Sequence, residues 1–375
     1  MEIAMYYLDY SATTPLSPFC LDVYQKTAQL AFANSNSLHT FGLEARAILE
    51  QARTKFASLL RLTEEELYFT GSGSESNFLA IVSLAFAYRN KGQHLVSTKT
   101  EHPSVLEALH YLEKHGYEIT YVPVTEEGNV TVEALRASLR PDTVLASIAV
   151  ASSEIGTVQD IAHLSNVLRS RGILFHSDCV QALGKIEIDF SLLDAASFSA
   201  HKLYAPKGTG AVYLSKRLHW RGFYEQARHE SGFRPGTVDT PAVAAFASAV
   251  EHALSIRKTR MAELAELRDT IICQLTATGH FQLVGSKKER LPFHIGMLVK
   301  GWSGQQFMLE CDRAGFAIAT GSACQAGQTT PPLSLLALGL TNEQADRYVR
   351  VTLGEPTTED EVGMFIEHCT KIVCR

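Results

Sequence analysis

The stretch of this sequence best suited to covalent chemistry is Ser199-Ala200-His201-Lys202-Leu203-Tyr204-Ala205-Pro206-Lys207-Gly208-Thr209-Gly210. Apolar runs on either side, Ala195-Ala196-Ser197-Phe198 and Ala211-Val212-Tyr213-Leu214, read as strands, and the glycines between them place Lys202 in a short turn. A lysine partly stripped of water there loses proton affinity, and its neutral fraction can attack a carbonyl to form a Schiff base. Taken alone, Lys202 would pass for a solvated surface charge. Upstream, Ile173-Leu174-Phe175-His176 reads as a buried strand with Asp178 just past its end. Ligands of α/β sheets bind at the carboxyl ends of strands, although Asp178 by itself fits a helix N-cap equally well.

A lysine for an aldehyde and a carboxylate to keep a ring nitrogen protonated are what pyridoxal 5'-phosphate requires to act as an electron sink. Gln181 is placed to donate to the ring's phenolic oxygen. A phosphate seat is expected where the strand-like Leu67-Tyr68-Phe69-Thr70 runs through Gly71-Ser72-Gly73-Ser74-Glu75-Ser76-Asn77 into a helix from Phe78 to Tyr88. Ser72 and Glu75 have capping-box spacing, and the glycines let backbone N–H groups at the helix start approach an anion. Gly73 and Ser74 would form that seat, with Ser199 and His201 as further donors.

Asp178-x-x-Gln181, Ser199-x-His201-Lys202 and Pro206-Lys207-Gly208 resemble the cofactor signature of the NifS/IscS-like cysteine desulfurases, of the class-V aminotransferase group. The resemblance runs along nearly the whole chain. It implies an α/β fold of the pyridoxal-phosphate-dependent transferase type (fold type I), with a large domain of mainly parallel sheet and a smaller α+β domain. The large cofactor-binding domain is expected over 15–260, and the small one over 261–375, completed by 1–14.

The resemblance also assigns roles along the chain. Leu8-Asp9-Tyr10-Ser11-Ala12-Thr13-Thr14-Pro15 is similar to the family's opening motif, which lines the substrate side. Asn34 matches an asparagine used for the substrate carboxylate, but Ser35 and Asn36 depart from the family's Asn-Pro-Ser-Ser, and Asn34 to Ser37 also read as capping residues. His102, in Thr100-Glu101-His102-Pro103, matches a histidine that stacks on the cofactor ring and shuttles protons. Ser153 stands where the family has an asparagine that contacts the ring oxygen, so this shorter side chain is expected to lose the contact or bridge it with water. In Gly232-Phe233-Arg234-Pro235-Gly236-Thr237-Val238-Asp239, Thr237 matches a threonine that reaches the phosphate of the neighbouring subunit, which implies a homodimer; Pro235 and Asp239 are departures.

A second chemical centre is the polar loop Thr320-Gly321-Ser322-Ala323-Cys324-Gln325-Ala326-Gly327. Thiolate is a strong nucleophile even when only a few per cent of a thiol is ionised. Gly-Ser-Ala-Cys resembles the family's persulfide-forming motif, and the spacing to Ala337-Leu338-Gly339 matches its long-loop branch (group I), in which the cysteine swings from cofactor to acceptor. Arg350, in Val349-Arg350-Val351-Thr352, matches the arginine that pairs with the substrate carboxylate; otherwise it is an ordinary strand arginine.

Strand and helix patterns alternate through Leu95–Thr98, Val105–Glu113, Ile119–Val124, Val132–Leu139 and Val144–Val150, which argues for a parallel sheet with crossover helices. A stretch from Pro241 to about Thr278 outlasts an ordinary helix and changes character near Arg257. Beyond it, Phe293–Val299 and Tyr348–Leu353 alternate as strands, with helices at Gly304–Arg313 and Thr358–Ile372. The 375 residues, 46% hydrophobic and 20% charged, are ordinary for a globular chain with a sizeable core. A net charge of −6 argues against a direct nucleic-acid grip. Seven scattered cysteines without paired spacing, no secretory pattern and no long apolar run point to free thiols, no metal site, no membrane span and a cytoplasmic location.

The expected activity is conversion of L-cysteine to L-alanine with sulfane sulfur held on Cys324 for an acceptor, either an iron–sulfur scaffold or a tRNA-thiolation protein. A selenocysteine lyase, an aminotransferase, or a sulfur-assembly protein that mainly binds a partner are the alternatives.

Overall fold

The computed structural model describes residues 5–320 and 331–374. The chain begins with a short strand, β1 (Tyr6–Tyr7), and two helices, α1 (Pro18–Leu30) and α2 (Thr40–Leu59). An α/β run follows: β2 (Leu67–Thr70), α3 (Gly73–Ala87), β3 (His94–Ser97), α4 (Pro103–Lys114), β4 (Glu118–Tyr121), α5 (Val132–Ser138), β5 (Thr143–Ser147), α6 (Ile161–Ser170), β6 (Leu174–Asp178), β7 (Ala195–Ser199) and β8 (Gly210–Leu214). A long helix, α7 (Thr240–Ala277), leads to β9 (Phe281–Leu283), β10 (His294–Val299), α8 (Gly304–Arg313), β11 (Phe316–Ala317), α9 (Leu333–Ala337), α10 (Asn342–Asp346), β12 (Tyr348–Thr352) and α11 (Glu359–Val373).

Among the described residues, seven strands form one sheet in the order β2-β8-β7-β6-β5-β3-β4. Strands β3 to β7 are parallel, as the alternating pattern requires, and β3, β5, β6 and β7 are buried along their length but for Leu174. Strand β8 is the antiparallel member of this mainly parallel sheet: it runs antiparallel to both β7 and β2. Its connection from β7, residues 200–209, is too short for a parallel crossover, which takes about a dozen residues or more. The chain therefore reverses where Lys202 sits, in a single 3-10 turn over Ala200–Lys202.

Helix α3 starts five residues earlier than the apolar pattern suggests, because Ser72 accepts from Glu75 N at 3.1 Å and nucleates the turn. Glu75 does not close the capping box on Ser72; its carboxylate accepts from Gly71 N instead. Ten of the fifteen residues of α3 are buried, including every one from Leu79 to Ala85, so its middle turns are enclosed on all sides.

Helix α7 is continuous over 38 residues, about 57 Å at about 1.5 Å per residue. Asp239 caps it through Ala242 N at 3.0 Å. Its first half buries Val243, Phe246 and Val250 in the core of the large sheet, and its second half buries Leu264, Ile271 and Leu275 in a separate core. The change of character near Arg257 is the change from one core to the other. That second core is built on the antiparallel order β12-β10-β9 together with α8 and α11. The N-terminal segment crosses into it: β1 pairs with β11, and Asp9 bridges to Thr352.

Candidate active site

The residues that end β6 and β7 and start α3 and α4 surround a cavity of about 160 Å³. Asp178 is the last residue of β6 and is buried. Its Oδ1 accepts from Val180 N at 2.9 Å, so it does cap the following turn, while Oδ2 accepts from Asn77 Nδ2 at 2.7 Å. The carboxylate is thereby fixed in orientation at the cavity wall.

Lys202 faces the N-terminal segment. Its Nζ donates to the carbonyls of Ser11 at 2.5 Å and Ala12 at 2.6 Å. The turn is laced to the same segment on both sides: Thr14 N donates to His201 O at 3.0 Å, and Tyr204 N donates to Thr14 Oγ1 at 2.7 Å. Tyr204 holds a left-handed φ of 59°, a conformation uncommon outside glycine. His201 Nδ1 lies 3.0 Å from Thr13 Oγ1, and burial, reinforced by the Lys202 charge, pulls its pKa down to about 4.

At the start of α3, a Cβ on Gly73 would stand 3.0 Å from both Ser199 Cβ and Val180 Cγ2, so only glycine leaves room there without displacing them. The Ser199 hydroxyl, buried beside this helix start, has no hydrogen-bond partner. An unpartnered buried hydroxyl beside free helix N–H groups fits an anion such as a phosphate. Asn77 Oδ1, Gln181 Oε1 and Ser11 Oγ are likewise buried and unsatisfied around the cavity. The unpartnered hydroxyl, the free helix start and the buried Asp178 carboxylate fit a phosphate-bearing cofactor such as pyridoxal phosphate.

His102 caps α4, and its Nδ1 accepts from Ser104 N at 3.2 Å. Burial and the Lys202 charge lower its pKa against the opposing pull of Asp178, which leaves a neutral ring at the cavity wall. Gln181 Nε2 donates to Ser11 O at 3.0 Å, and its Oε1 is buried and unsatisfied at the cavity. Ser153 contributes its carbonyl, which accepts from Arg350 Nη1 at 3.2 Å and His294 Nε2 at 3.1 Å. Arg350 is 1% exposed, pairs with Asp9, and keeps Nε unsatisfied at the cavity.

Ten of the expected residues thus meet in one cavity: Gly73, Ser74, His102 and Ser153, then Asp178, Gln181, Ser199, His201, Lys202 and Arg350. Asn34 and Thr237 are not among its walls. They lie exposed and bonded to each other, Asn34 Nδ2 donating to Thr237 Oγ1 at 3.4 Å. Cys324 lies outside the described residues.

Sequence reasoning missed Asn77, whose place one helical turn after Gly73 and Ser74 would have put it on the same face. It also missed Glu101. That carboxyl is buried between Thr98 Oγ1, at 2.8 Å, and Ala149 N, and burial with the nearby Asp178 charge pushes its pKa up to about 8. The carbonyls that hold Lys202 carry no side-chain signal at all.

A model of the family described as aminotransferase class-V matches residues 6–365. The chain is 43% identical over 371 residues to a putative cysteine desulfurase NifS of Halalkalibacterium halodurans, covering 99% of both chains. It is 37% identical over 370 residues to a cysteine desulfurase IscS of Dictyoglomus turgidum, covering 98% of this chain and 94% of that one. A solved NifS-like protein superposes with a TM-score of 0.91 at 28% identity, covering 99% of each chain.

Proposed function

The chain belongs to the class-V aminotransferase family as a NifS/IscS-like cysteine desulfurase, and on that premise we propose that it uses pyridoxal 5'-phosphate to convert L-cysteine to L-alanine, passing the sulfane sulfur to Cys324. The observation that carries the cofactor reading is the unpartnered Ser199 hydroxyl at the α3 start, in one cavity with Asp178 and Lys202.

When bound, the cofactor supplies a cationic ring that draws electron density from the Cα of the amino acid. Gly73, Ser74, Ser199 and His201 hold its phosphate, and Asp178, oriented by Asn77, holds the proton on its ring nitrogen. Arg350 binds the substrate carboxylate, with Asn34 as the second expected contact. Lys202 takes the Cα proton, and the Ser11 and Ala12 carbonyls hold its Nζ when it is protonated. His102, neutral at Nδ1 and buried, moves a proton at the cavity wall. The Cys324 thiolate attacks the substrate sulfur, which keeps its own proton in the persulfide; the Cβ–S bond breaks with its electron pair going to carbon, and Cβ and Cα each take up one proton, the second being the one Lys202 removed, to complete alanine.

The same reading divides the chain into a large unit over 15–260 and a small one over 261–375 with 1–14, which the two cores joined by α7 support. We assign a homodimer, because Thr237 lies away from its own cavity and is exposed for a partner's phosphate. The acceptor is an iron–sulfur scaffold or a tRNA-thiolation protein. The six described cysteines are unpaired, which suits a reducing, cytoplasmic setting.

The test is release of alanine and sulfide from L-cysteine with thiol reductant by purified protein and by Cys324→Ser, with the visible spectrum recorded first. A yellow protein whose sulfide release is lost in Cys324→Ser supports the reading. Full turnover on cysteine by Cys324→Ser points to a relative that needs no loop nucleophile. A colourless, inactive protein that pyridoxal phosphate does not restore removes the roles given to Asp178 and Lys202.

A further inference from the structure

Behind Lys202, away from the Asp178 side, lies a second, smaller cavity of about 40 Å³ between the two cores. Both Lys202 and Lys185 line it. Gly184, at φ 72°, sets the chain direction into Lys185; a Cβ there would stand 2.8 Å from Ala253 Cβ, so the preceding backbone is packed tightly against α7. The Lys185 ammonium reaches across to the small core and rests 4.7 Å from the centre of the Phe293 ring. Its contact is therefore an aromatic face and not a carboxylate.

We propose that Lys185 is a positioning residue that acts on Lys202 through charge: the two side chains line one cavity, the ammonium form of either disfavours the other, and Lys185 thereby sets the fraction of Lys202 able to accept a proton. The proposal rests on the reading of Lys202 as the proton-accepting lysine.

Among the described residues, a single carboxylate faces this cavity. Glu355 is the carboxylate there, and its Oε1 is taken by His252 Nε2 at 3.0 Å. Tyr204 accepts at its hydroxyl from Glu355 N at 2.6 Å. Burial raises the pKa of Tyr204 and pushes that of Tyr10 up to about 12, so both phenols stay neutral. His201, on the turn beside Lys202, is also held neutral, in part by Lys185 itself. Burial, and then the Lys202 charge, bring the Lys185 pKa down to about 7.

The two amines are not equivalent. Two carbonyls stabilise the ammonium of Lys202, whereas Lys185 has a ring face, a weaker partner for a cation. While Lys202 is charged, Lys185 is the one that gives up its proton near neutral pH. Once Lys202 is neutral, the repulsion lifts and Lys185 holds its proton more tightly. The pair titrates as a unit, and one positive charge is shared between two sites.

The experiment compares Lys185→Met and Lys185→Arg in the full-length chain freed of cofactor. The rate at which acetic anhydride acylates Lys202 is followed by peptide mass spectrometry from pH 6 to 9. Removing the charge with Lys185→Met is expected to slow Lys202 acylation about three- to ten-fold at pH 7, with the difference fading toward pH 9. The permanent charge of Lys185→Arg is expected to speed it. Lys185→Gln repeats the neutral arm with a polar side chain. Opposite signs for the neutral and charged variants support the coupling. Shifts of the same sign, or none, overturn it, because lost packing would move both alike. Acylation of Lys202 needs neither substrate nor turnover, so a chain that makes no alanine would sink the desulfurase reading while this result stands by itself.

Discussion

Asp9 and Arg350, 341 positions apart in the chain, form an ion pair of 2.7 Å between Oδ1 and Nη2 at the edge of the active-site cavity. The two side chains are 18% and 2% exposed. Arg350 is thus already oriented before any substrate carboxylate arrives, with Nη1 on the Ser153 carbonyl and Nε left over. Asp9→Ala leaves a buried guanidinium without its counter-charge, which costs about 3–5 kcal/mol. Urea denaturation should show that loss. Arg350→Lys, which keeps the charge but not the planar fork, should raise KM for L-cysteine about ten-fold or more in a steady-state alanine assay.

Asn77 is expected to matter because it orients the Asp178 carboxylate. Asn77→Ala removes a hydrogen bond to a charged group, worth about 1.5–3 kcal/mol, and should slow alanine formation about ten- to a hundred-fold. In a double-mutant cycle with Asp178→Asn the two losses should be far from additive. Additive losses would mean that Asn77 acts elsewhere.

Glu101 predicts a particular pH dependence of stability. Its folded-state pKa, about 8, lies above the ordinary carboxyl value of 4.5, so between those values the folded chain binds more protons than the unfolded one. The stabilisation it gives is complete below about pH 4.5 and is lost as pH rises toward 8. Glu101→Gln should flatten this slope and exceed the wild type by a few kcal/mol at pH 9, measured by urea denaturation at pH 5, 7 and 9.

A site shared between subunits predicts complementation. Lys202→Ala and Thr237→Ala should each be impaired alone. Mixed, unfolded and refolded together in equal amounts, they should recover about a quarter of wild-type activity, since half the dimers are mixed and each has one intact site. No recovery would place Thr237 in the service of its own subunit or of none.

Legibility from sequence followed the range of the contacts involved. The turn bearing Lys202 and the strand end bearing Asp178 were readable because both are local patterns: an apolar run, then polar and glycine residues. The start of α3 was marked by Ser72 and the glycines beside it for the same reason, and Asn77 was reachable only by extending the helical period one turn. The reversal of β8 was implicit in the shortness of its connection. What could not be read were partners brought together by the finished fold. Asp9 with Arg350, the Ser11 and Ala12 carbonyls with Lys202, and Lys185 with Phe293 carry no periodic signal, because nothing in one segment's pattern names the other. Gln181 adds another such partner: its Nε2 bonds the Ser11 carbonyl, which only the folded N-terminal segment supplies.

The hold of the N-terminal segment on Lys202 has a consequence for biosynthesis. Residues 9–11, which precede the large sheet in the chain, are kept in place by Thr352, through the Asp9 bridge, the Tyr10 amide and a bond from Ser11 N to Thr352 Oγ1 at 2.9 Å. Domains made early in a chain generally fold while the rest is still being synthesised. Here the large sheet can assemble during translation, but the segment that holds the Lys202 amine is fixed only after β12, more than a hundred residues beyond β8, has been released. A product that stops before β12 would carry the sheet, Asp178 and Lys202, yet lack the finished pocket.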